Sequence, residues 1–388
     1  MKVLFLTHSF PRFIGDAPGS FLLRLAVALR DTGITVRVIA PAAADLPPRD
    51  DLEGIHVERF RYALRSMETL AYTGNMAQDV ASSWSARLAL TGFLGAELTR
   101  LAWERRAFKP DVIHAHWWFP SGVVAMTLGS LTSTPVVTTI HGTDLRLAKK
   151  VSASRPVLRS VLRRSAQVTT VSSWLAAELS AIVPSARATV APMPVATEKF
   201  QPHGTREPAR FLFAGRLNAQ KGLDHLLRAF ASMRRVAMLD VVGEGGLAND
   251  LRLLASQLGI SDRVVWHGQL TQPELVRKYQ AATAVVVPSI DEGLGLVAAE
   301  ALLCETPVVA FRSGGLTDVV EHSRTGLLVT PGKTAELAAA LDAVLDDPEQ
   351  SASMAREGRK SALEKFSPER AATAYANIYR QAIGDLTA

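Results

Sequence analysis

The sequence has one cysteine, Cys304, in 388 residues. A disulfide framework is therefore excluded, and Cys304 has no companions at zinc-ligand spacing. Long apolar runs are also missing. The best stretch, Trp84 to Trp103, carries Arg87, Glu97 and Arg100, which disqualifies it as a membrane span. Met1 and Lys2 lead straight into the apolar β-run Val3 to Leu6, leaving no room for the apolar core of a signal peptide. Together these absences predict a reducing, cytoplasmic setting. No basic segment interleaved with aromatics is present, so no nucleic-acid partner is expected. There is no low-complexity tract. The dinucleotide fingerprint GxGxxG is absent too, because the stretch after the first β-run, Ser9 to Gly19, has glycines at the wrong spacing.

What is present is a soluble globular composition, 48% hydrophobic and 21% charged. A chain of 388 residues is long for one core and predicts two domains of similar size. The net charge of +6 suits phosphate-bearing ligands or an anionic membrane surface. Short β-runs alternate with helical patterns: Val3 to Thr7, Thr35 to Ala40, Ile55 to Phe60, Val112 to His116, Val136 to Gly142, Gln167 to Ser173 and Ala188 to Val195. A mostly helical stretch, Met76 to Phe108, is expected to break near Gly92 and Gly95. The segment 196–209 holds Pro202, Gly204 and Pro208 with no apolar run, and reads as an interdomain linker. The alternation then restarts at Arg210 and runs to Thr330. This is an α/β pattern: two parallel sheets with helices on both faces, domains at 1–195 and 210–366, and a final helix from 367 to 388 that opens with Ser367 as N-cap and Pro368 at the first helical position. Ligands of such sheets sit at the carboxyl ends of strands.

The most informative stretch is Val285 to Val308. It reads as strand, loop and helix, with Gly293, Leu294 and Gly295 opening the helix, where free backbone amides and the dipole favour an anion or a ring of hydroxyls. Glu292 stands at the mouth of the loop and Glu300 inside the helix, placed to hold two ends of one long polar ligand. Gly215-Arg216 and Lys221 follow the first strand of the second half, a sensible diphosphate clamp or a plain solvated turn. Gly243 ends the next strand, where it permits close backbone approach to a nucleotide. In the first half, His141 and Asp144 follow a strand. His114 and His116 alternate onto one side of theirs, but no third ligand makes them a metal site. Arg146 to Arg164 holds seven cations and no acid except Asp144 before it. It reads as a solvated helix face over an apolar stripe, or as a docking face for anionic lipid or a phosphate-bearing acceptor.

Glu292, seven residues, Glu300, with Gly-Leu-Gly after the first, resembles the EX7E motif of retaining GT-B glycosyltransferases of family four. Gly215-Arg216 with Lys221-Gly222, and Gly314-Gly315 followed by Asp318 where relatives carry Glu, extend the resemblance; Pro192 to Phe200 departs from it. The resemblance implies a GT-B fold of two Rossmann-like domains facing a cleft, with the last helix returning to the first domain. It implies transfer of a hexosyl unit from a nucleotide-diphosphate sugar to a hydroxyl acceptor, with closure assembling the site. Glu300 would hold the ribose, Glu292 and the Gly293 to Gly295 amides the sugar, and Arg216 and Lys221 the leaving diphosphate. His141 would approach the transferred sugar; Gly15, Gly19, Asp144 and His116 would contact donor phosphate or acceptor. No metal and no cofactor is expected. Location at the inner face of the membrane fits the basic segment. A nucleotide-sugar epimerase on the same fold and a non-catalytic glycan- or nucleotide-binding partner remain open alternatives.

Overall fold

The computed structural model describes residues 1–384 except 45, 73–75 and 205. They form two compact units: Met1–Pro194 together with the chain from Pro368 onward, and Val195–Ser367.

The first unit contains β1 (Lys2–Leu6), α1 (Ser20–Asp31), β2 (Thr35–Pro41), β3 (Arg49–Leu52), β4 (Ile55–Phe60), α2 (Met76–Ser82), α3 (Trp84–Phe108), β5 (Val112–His116), α4 (Val123–Gly129), β6 (Val136–Ile140), α5 (Thr143–Lys150), α6 (Arg155–Arg164), β7 (Gln167–Thr170), α7 (Ser173–Ile182) and β8 (Thr189–Val190). The second contains β9 (Arg210–Ala214), α8 (Leu223–Ala231), β10 (Met238–Val242), α9 (Ala248–Gln257), β11 (Val264–Gly268), α10 (Gln272–Ala281), β12 (Ala284–Val287), α11 (Leu296–Leu303), β13 (Val308–Phe311), α12 (Leu316–Val319), β14 (Leu327–Val329), α13 (Thr334–Asp346) and α14 (Pro348–Phe366). The last helix, α15 (Pro368–Gly384), belongs to the first unit.

The first sheet has the order β3-β4-β2-β1-β5-β6-β7-β8 and the second β11-β10-β9-β12-β13-β14. All pairings are parallel except β3 with β4. In both sheets the chain starts near the middle and builds outward to each side. The order therefore reverses between β1 and β5, and again between β9 and β12. Loops leaving the carboxyl ends of such strand pairs diverge and open a crevice. Strands β5, β6, β12 and β13 are buried along their whole length, as sheets covered by helices on both sides require. In α8, Leu223, Leu226, Leu227 and Phe230 are buried, the i, i+3, i+4, i+7 stripe of a helix lying on a sheet. The first core gathers Leu4, Leu6, Ile39, Phe93, Leu101 and Ile113 under α3.

The expected helix break lies elsewhere. Ser83 separates α2 from α3, its side chain accepting from the Ala86 amide, and α3 runs unbroken through Gly92 and Gly95. Gly92 serves packing: a Cβ there would lie 2.2 Å from the Tyr62 carbonyl oxygen. Residues 196–209, expected as a linker, group with the second unit. Ala196 and Phe200 are buried, Phe200 against the Tyr279 ring, and the Glu207 amide donates to the Ala281 carbonyl at 2.8 Å. The β-run expected over Ala188 to Val195 shortens to Thr189–Val190, and the hairpin strand β3 was not anticipated. Its acidic, proline-flanked sequence gives no apolar alternation to read.

α15 packs on α1 and on β5, β6 and β7. Its Ala372, Tyr375, Ala376 and Tyr379 are buried. The Tyr379 hydroxyl bonds His114 Nδ1 at 2.8 Å, and the Tyr375 hydroxyl donates to the Ala191 carbonyl at 3.1 Å.

Candidate active site

In the second unit, three loops meet at the switch point between β9 and β12. The loop after β9 carries Arg216 and Lys221, the loop after β12 carries Glu292 to Gly295, and the loop after β13 carries Gly314 and Gly315. They are tied to one another by hydrogen bonds from main-chain amides. The Ile290 amide donates to the Gln220 carbonyl at 2.8 Å, the Asp291 amide to Ser313 Oγ at 2.9 Å, and the Gly315 amide to the Glu292 carbonyl at 2.7 Å. Gly314 makes this approach possible. Its φ is +62°, and a Cβ would stand 2.3 Å from the Glu292 carbonyl oxygen. The adjacent glycines of the third loop are thus the floor on which the Glu292 loop rests.

Lys221 Nζ donates to Glu292 Oε2 at 2.6 Å, with both side chains 17% exposed. An ammonium has three donors, and one goes to Glu292. Lys221 and Glu292, 71 residues apart in sequence, therefore form one ion pair beside the N-terminus of α11. Leu294 is buried under the loop, and Gly295 is the N-cap of α11. Arg216 is exposed on the loop after β9. Gly243 sits at the end of β10, its amide donating to Gly268 at 2.8 Å. Glu300 lies within α11, half-buried, and its Oε2 accepts from the Tyr279 hydroxyl at 3.0 Å. Tyr279 is fully buried on α10; burial, then the Glu300 carboxylate, drives its phenol well above the ordinary value. It holds one oxygen of Glu300 and fixes the rotamer. Nothing in the sequence marks this residue, because a tyrosine on a helix facing a sheet looks like any core aromatic.

In the first unit the polar groups also gather near the switch point. His141 Nε2 lies 3.2 Å from His116 Nδ1, and its ring packs against Trp117 at 4.2 Å between centroids. His116 and His114 stack at 3.9 Å, and His114 Nε2 bonds Thr139 Oγ1 at 2.7 Å. Burial lowers all three imidazoles, His114 to about 3 and the others well below the ordinary value. These histidines are neutral at physiological pH, able to donate or accept but not to act as cations.

Asp144 was expected at donor phosphate or acceptor. Instead its carboxylate is occupied by its own loop. Oδ1 accepts the amides of His141, Gly142 and Leu145, and Oδ2 accepts that of Trp118. Burial still pushes it up to about 6 against those amides. Its work is to shape the turn that presents His141. Gly19 is likewise architectural. With φ +72°, a Cβ there would meet the Ser9 carbonyl oxygen at 2.5 Å. Gly15, φ +93°, has open space around it. Between them, burial alone would raise the Asp16 carboxyl, but bonds from Arg12, at 2.7 and 2.8 Å, hold it below its ordinary value.

The basic segment forms α5 and α6. Leu145, Ala148, Leu158, Val161 and Leu162 are buried, while Lys149 pairs with Glu178 and Arg164 donates to Ser130 Oγ at 2.8 Å. No helix among the described residues is long and apolar enough to cross a membrane.

Two Rossmann-like halves, each with polar groups at the sheet's switch point, are the architecture of the GT-B fold, and comparison with known proteins gives the class. Residues 195–361 match the family "Glycosyl transferases group 1", and residues 17–194 match "Glycosyl transferase 4-like domain". The chain is 31% identical to the 2-deoxystreptamine glucosyltransferase of Streptomyces kanamyceticus over 94% of this chain and 98% of that one. In fold it is similar to the sucrose-phosphate synthase of Thermosynechococcus elongatus (TM-score 0.83, 23% identity, 98% of each chain). It is also similar to Anabaena HepE, solved in complex with UDP-glucose (TM-score 0.74, 20% identity, 97% of this chain and 99% of that one). The protein belongs to the glycosyl transferases group 1 family.

Proposed function

We propose that this glycosyltransferase moves a hexosyl unit from a nucleotide-diphosphate sugar to a hydroxyl acceptor, with retention of configuration and without a metal ion. The observation that carries the reading is the Lys221–Glu292 ion pair beside the amide-bearing start of α11. Donor diphosphate and transferred sugar are covalently adjacent, so a clamp cation and a hydroxyl-binding carboxylate must be adjacent too. Arg216 and Lys221 neutralise the leaving diphosphate, Glu292 with the Gly293 to Gly295 amides holds sugar hydroxyls, and Glu300 holds the ribose. The 2-deoxystreptamine glucosyltransferase transfers a hexose by its name, and HepE was solved with UDP-glucose; both support a hexosyl nucleotide as donor. The first unit supplies the acceptor contacts, and its His141 is a neutral imidazole able to hydrogen-bond a sugar hydroxyl.

No carboxylate is assigned as nucleophile. The bond from the anomeric carbon to phosphate breaks as the bond to the acceptor oxygen forms on the same face, and the acceptor proton passes to a departing phosphate oxygen. The side-chain cations do the work a divalent metal would otherwise do. The test is a turnover assay with a panel of nucleotide-diphosphate hexoses. Nucleoside diphosphate is expected to appear only when acceptor is present, at the same rate in EDTA. Release without acceptor argues for an epimerase or hydrolase, and loss in EDTA restored by Mn²⁺ refutes the metal-free clamp.

Tyr279 acts through Glu300 as a positioning residue. Tyr279→Phe removes a hydrogen bond to a carboxylate, and donor affinity is expected to fall by about tenfold, with kcat at saturating donor little changed. Isothermal titration with the nucleoside diphosphate separates the two; unaltered affinity would show that Glu300 needs no such support or does not touch the ribose.

A further inference from the structure

At the carboxyl ends of β1, β5 and β6, the imidazole of His141 is held at one nitrogen and open at the other. Its Nε2 lies 3.2 Å from His116 Nδ1. Its Nδ1 bonds no described residue, and the side chain is partly exposed. Burial keeps both imidazoles neutral. Each therefore carries one N–H and one lone pair, and the contact between them decides where the two hydrogens sit.

Two arrangements satisfy that contact. In the first, His116 Nδ1–H donates to His141 Nε2, and His141 carries its own hydrogen on Nδ1. In the second, His141 Nε2–H donates, and His116 must carry its hydrogen on Nε2. That last nitrogen decides between them. His116 is fully buried, and its Nε2 has no hydrogen-bond partner among the described residues. The rings beside it offer no acceptor. Phe5 stands edge-on at 4.7 Å, and His114, stacked at 3.9 Å, has one nitrogen on Thr139 Oγ1 and the other on the Tyr379 hydroxyl. The second arrangement thus buries an N–H with no acceptor. Orphaned N–H groups are rarer in folded proteins than under-used acceptors, so the first arrangement is favoured.

The ring plane is fixed as well. The Trp117 indole lies against His141 and against His8, at 4.2 and 4.3 Å between centroids, and its Nε1 donates to Thr143 Oγ1 at 3.0 Å. Trp117 has φ +68°, a conformation that a bulky residue keeps only where its surroundings over-determine it. Here its amide donates to the Thr139 carbonyl at 2.9 Å, and its carbonyl accepts from the Gly122 amide at 3.0 Å.

We propose that His116 is a positioning residue: it donates to His141 Nε2, fixes the hydrogen of His141 on Nδ1, and so turns a donor rather than an acceptor toward the transferred sugar. The inference rests on the reading that His141 meets that sugar. It gives His116 an indirect role in place of the ligand contact expected from the sequence, since its side chain is closed off from solvent. A sugar hydroxyl that gives its proton to a carboxylate has only lone pairs left for a second partner. That partner must be a donor, and this tautomer supplies one.

The test is a long-range proton–nitrogen correlation spectrum of the full-length protein, labelled with the heavy nitrogen isotope in its histidine rings. His141→Gln identifies the His141 signals. The wild type is expected to show a protonated Nδ1 and a bare Nε2 on His141. His116→Phe keeps a ring against Phe5 and His114 but removes the donor. It should lose that single pattern and lower kcat about tenfold, the cost of one hydrogen bond. His116→Asn places an amide N–H near the position of Nδ1–H and should retain both the pattern and most of kcat. Affinity for uridine diphosphate should be unaltered in both variants, because the proposed nucleotide contacts lie in the second unit. A wild-type His141 protonated on Nε2 overturns the proposal whatever the variants do, and so does undiminished kcat in His116→Phe. Absence of transfer by the wild type counts against the functional reading instead, and the spectrum decides the tautomer regardless.

Discussion

Lys221→Ala is expected to lower kcat/KM by about 10²–10³, the cost of removing one preorganised donor aimed at developing negative charge. Two losses combine in that number. The leaving diphosphate loses a cation, and Glu292 loses the ammonium that sits 2.6 Å from it and so repels an anionic substrate more strongly. A double-mutant cycle separates them. If the exposed Glu292 charge dominates, Lys221→Ala/Glu292→Gln will recover affinity for the nucleoside diphosphate relative to Lys221→Ala alone, while kcat stays low because the sugar contact is gone. If neutralisation of the leaving group dominates, the double variant will bind no better than the single one. Arg216→Ala should fall in the same direction, less steeply, since its side chain is exposed and its charge better screened. Undiminished turnover in both Lys221→Ala and Arg216→Ala would place the diphosphate elsewhere and remove the assignment.

The pairing of Lys221 with Glu292 explains what was legible in the sequence. Each residue was marked by its own loop, one by a strand-ending Gly-Arg with a following lysine, the other by a glycine-opened helix. The parallel alternation of strands said that both loops leave the same edge of one sheet. What could not be read was that β9 and β12 are neighbours, because strand order is set by packing over long sequence separation. The contact between the two side chains follows only from that order. The same limit hid Tyr279, which reaches from α10 to Glu300 on α11. The loop bonds of Asp144 were hidden for a different reason. An acid two residues past a glycine at a strand end looks exposed to ligand, but four amides of the surrounding loop needed an acceptor and took it. Gly92 misled in the opposite direction. Glycine inside a helix reads as a break, whereas here it admits the Tyr62 carbonyl.

Glu97→Gln is expected to make the first unit more stable at pH 8 and to leave it nearly unchanged at pH 4. Glu97 is fully buried on α3. Its Oε1 accepts from Ser121 Oγ at 2.8 Å, and its Oε2 has no partner among the described residues. Burial pushes the carboxyl up to about 8 from an ordinary 4.5, with the Ser121 bond opposing only in part. The sign follows from linkage. The folded state holds its proton more tightly than the unfolded chain, so the contribution of Glu97 is fully present below pH 4.5 and is lost as pH rises toward 8. Each pH unit across that window is worth ~1.4 kcal/mol. Glutamine keeps the acceptor for Ser121 and never ionises, so it escapes the loss. Its amide NH₂ is no worse served than the O–H of the protonated acid, which also lacks a partner; hence the near-equality in acid. At about 2–4 °C per kcal/mol for a unit of this size, the variant should melt at least ~5 °C above the wild type at pH 8. Melting curves followed between pH 4 and 8 give the answer. Parallel pH profiles for the two proteins would mean that Glu97 ionises in the fold as easily as in the unfolded chain, and that the space around it is wetter than its burial implies.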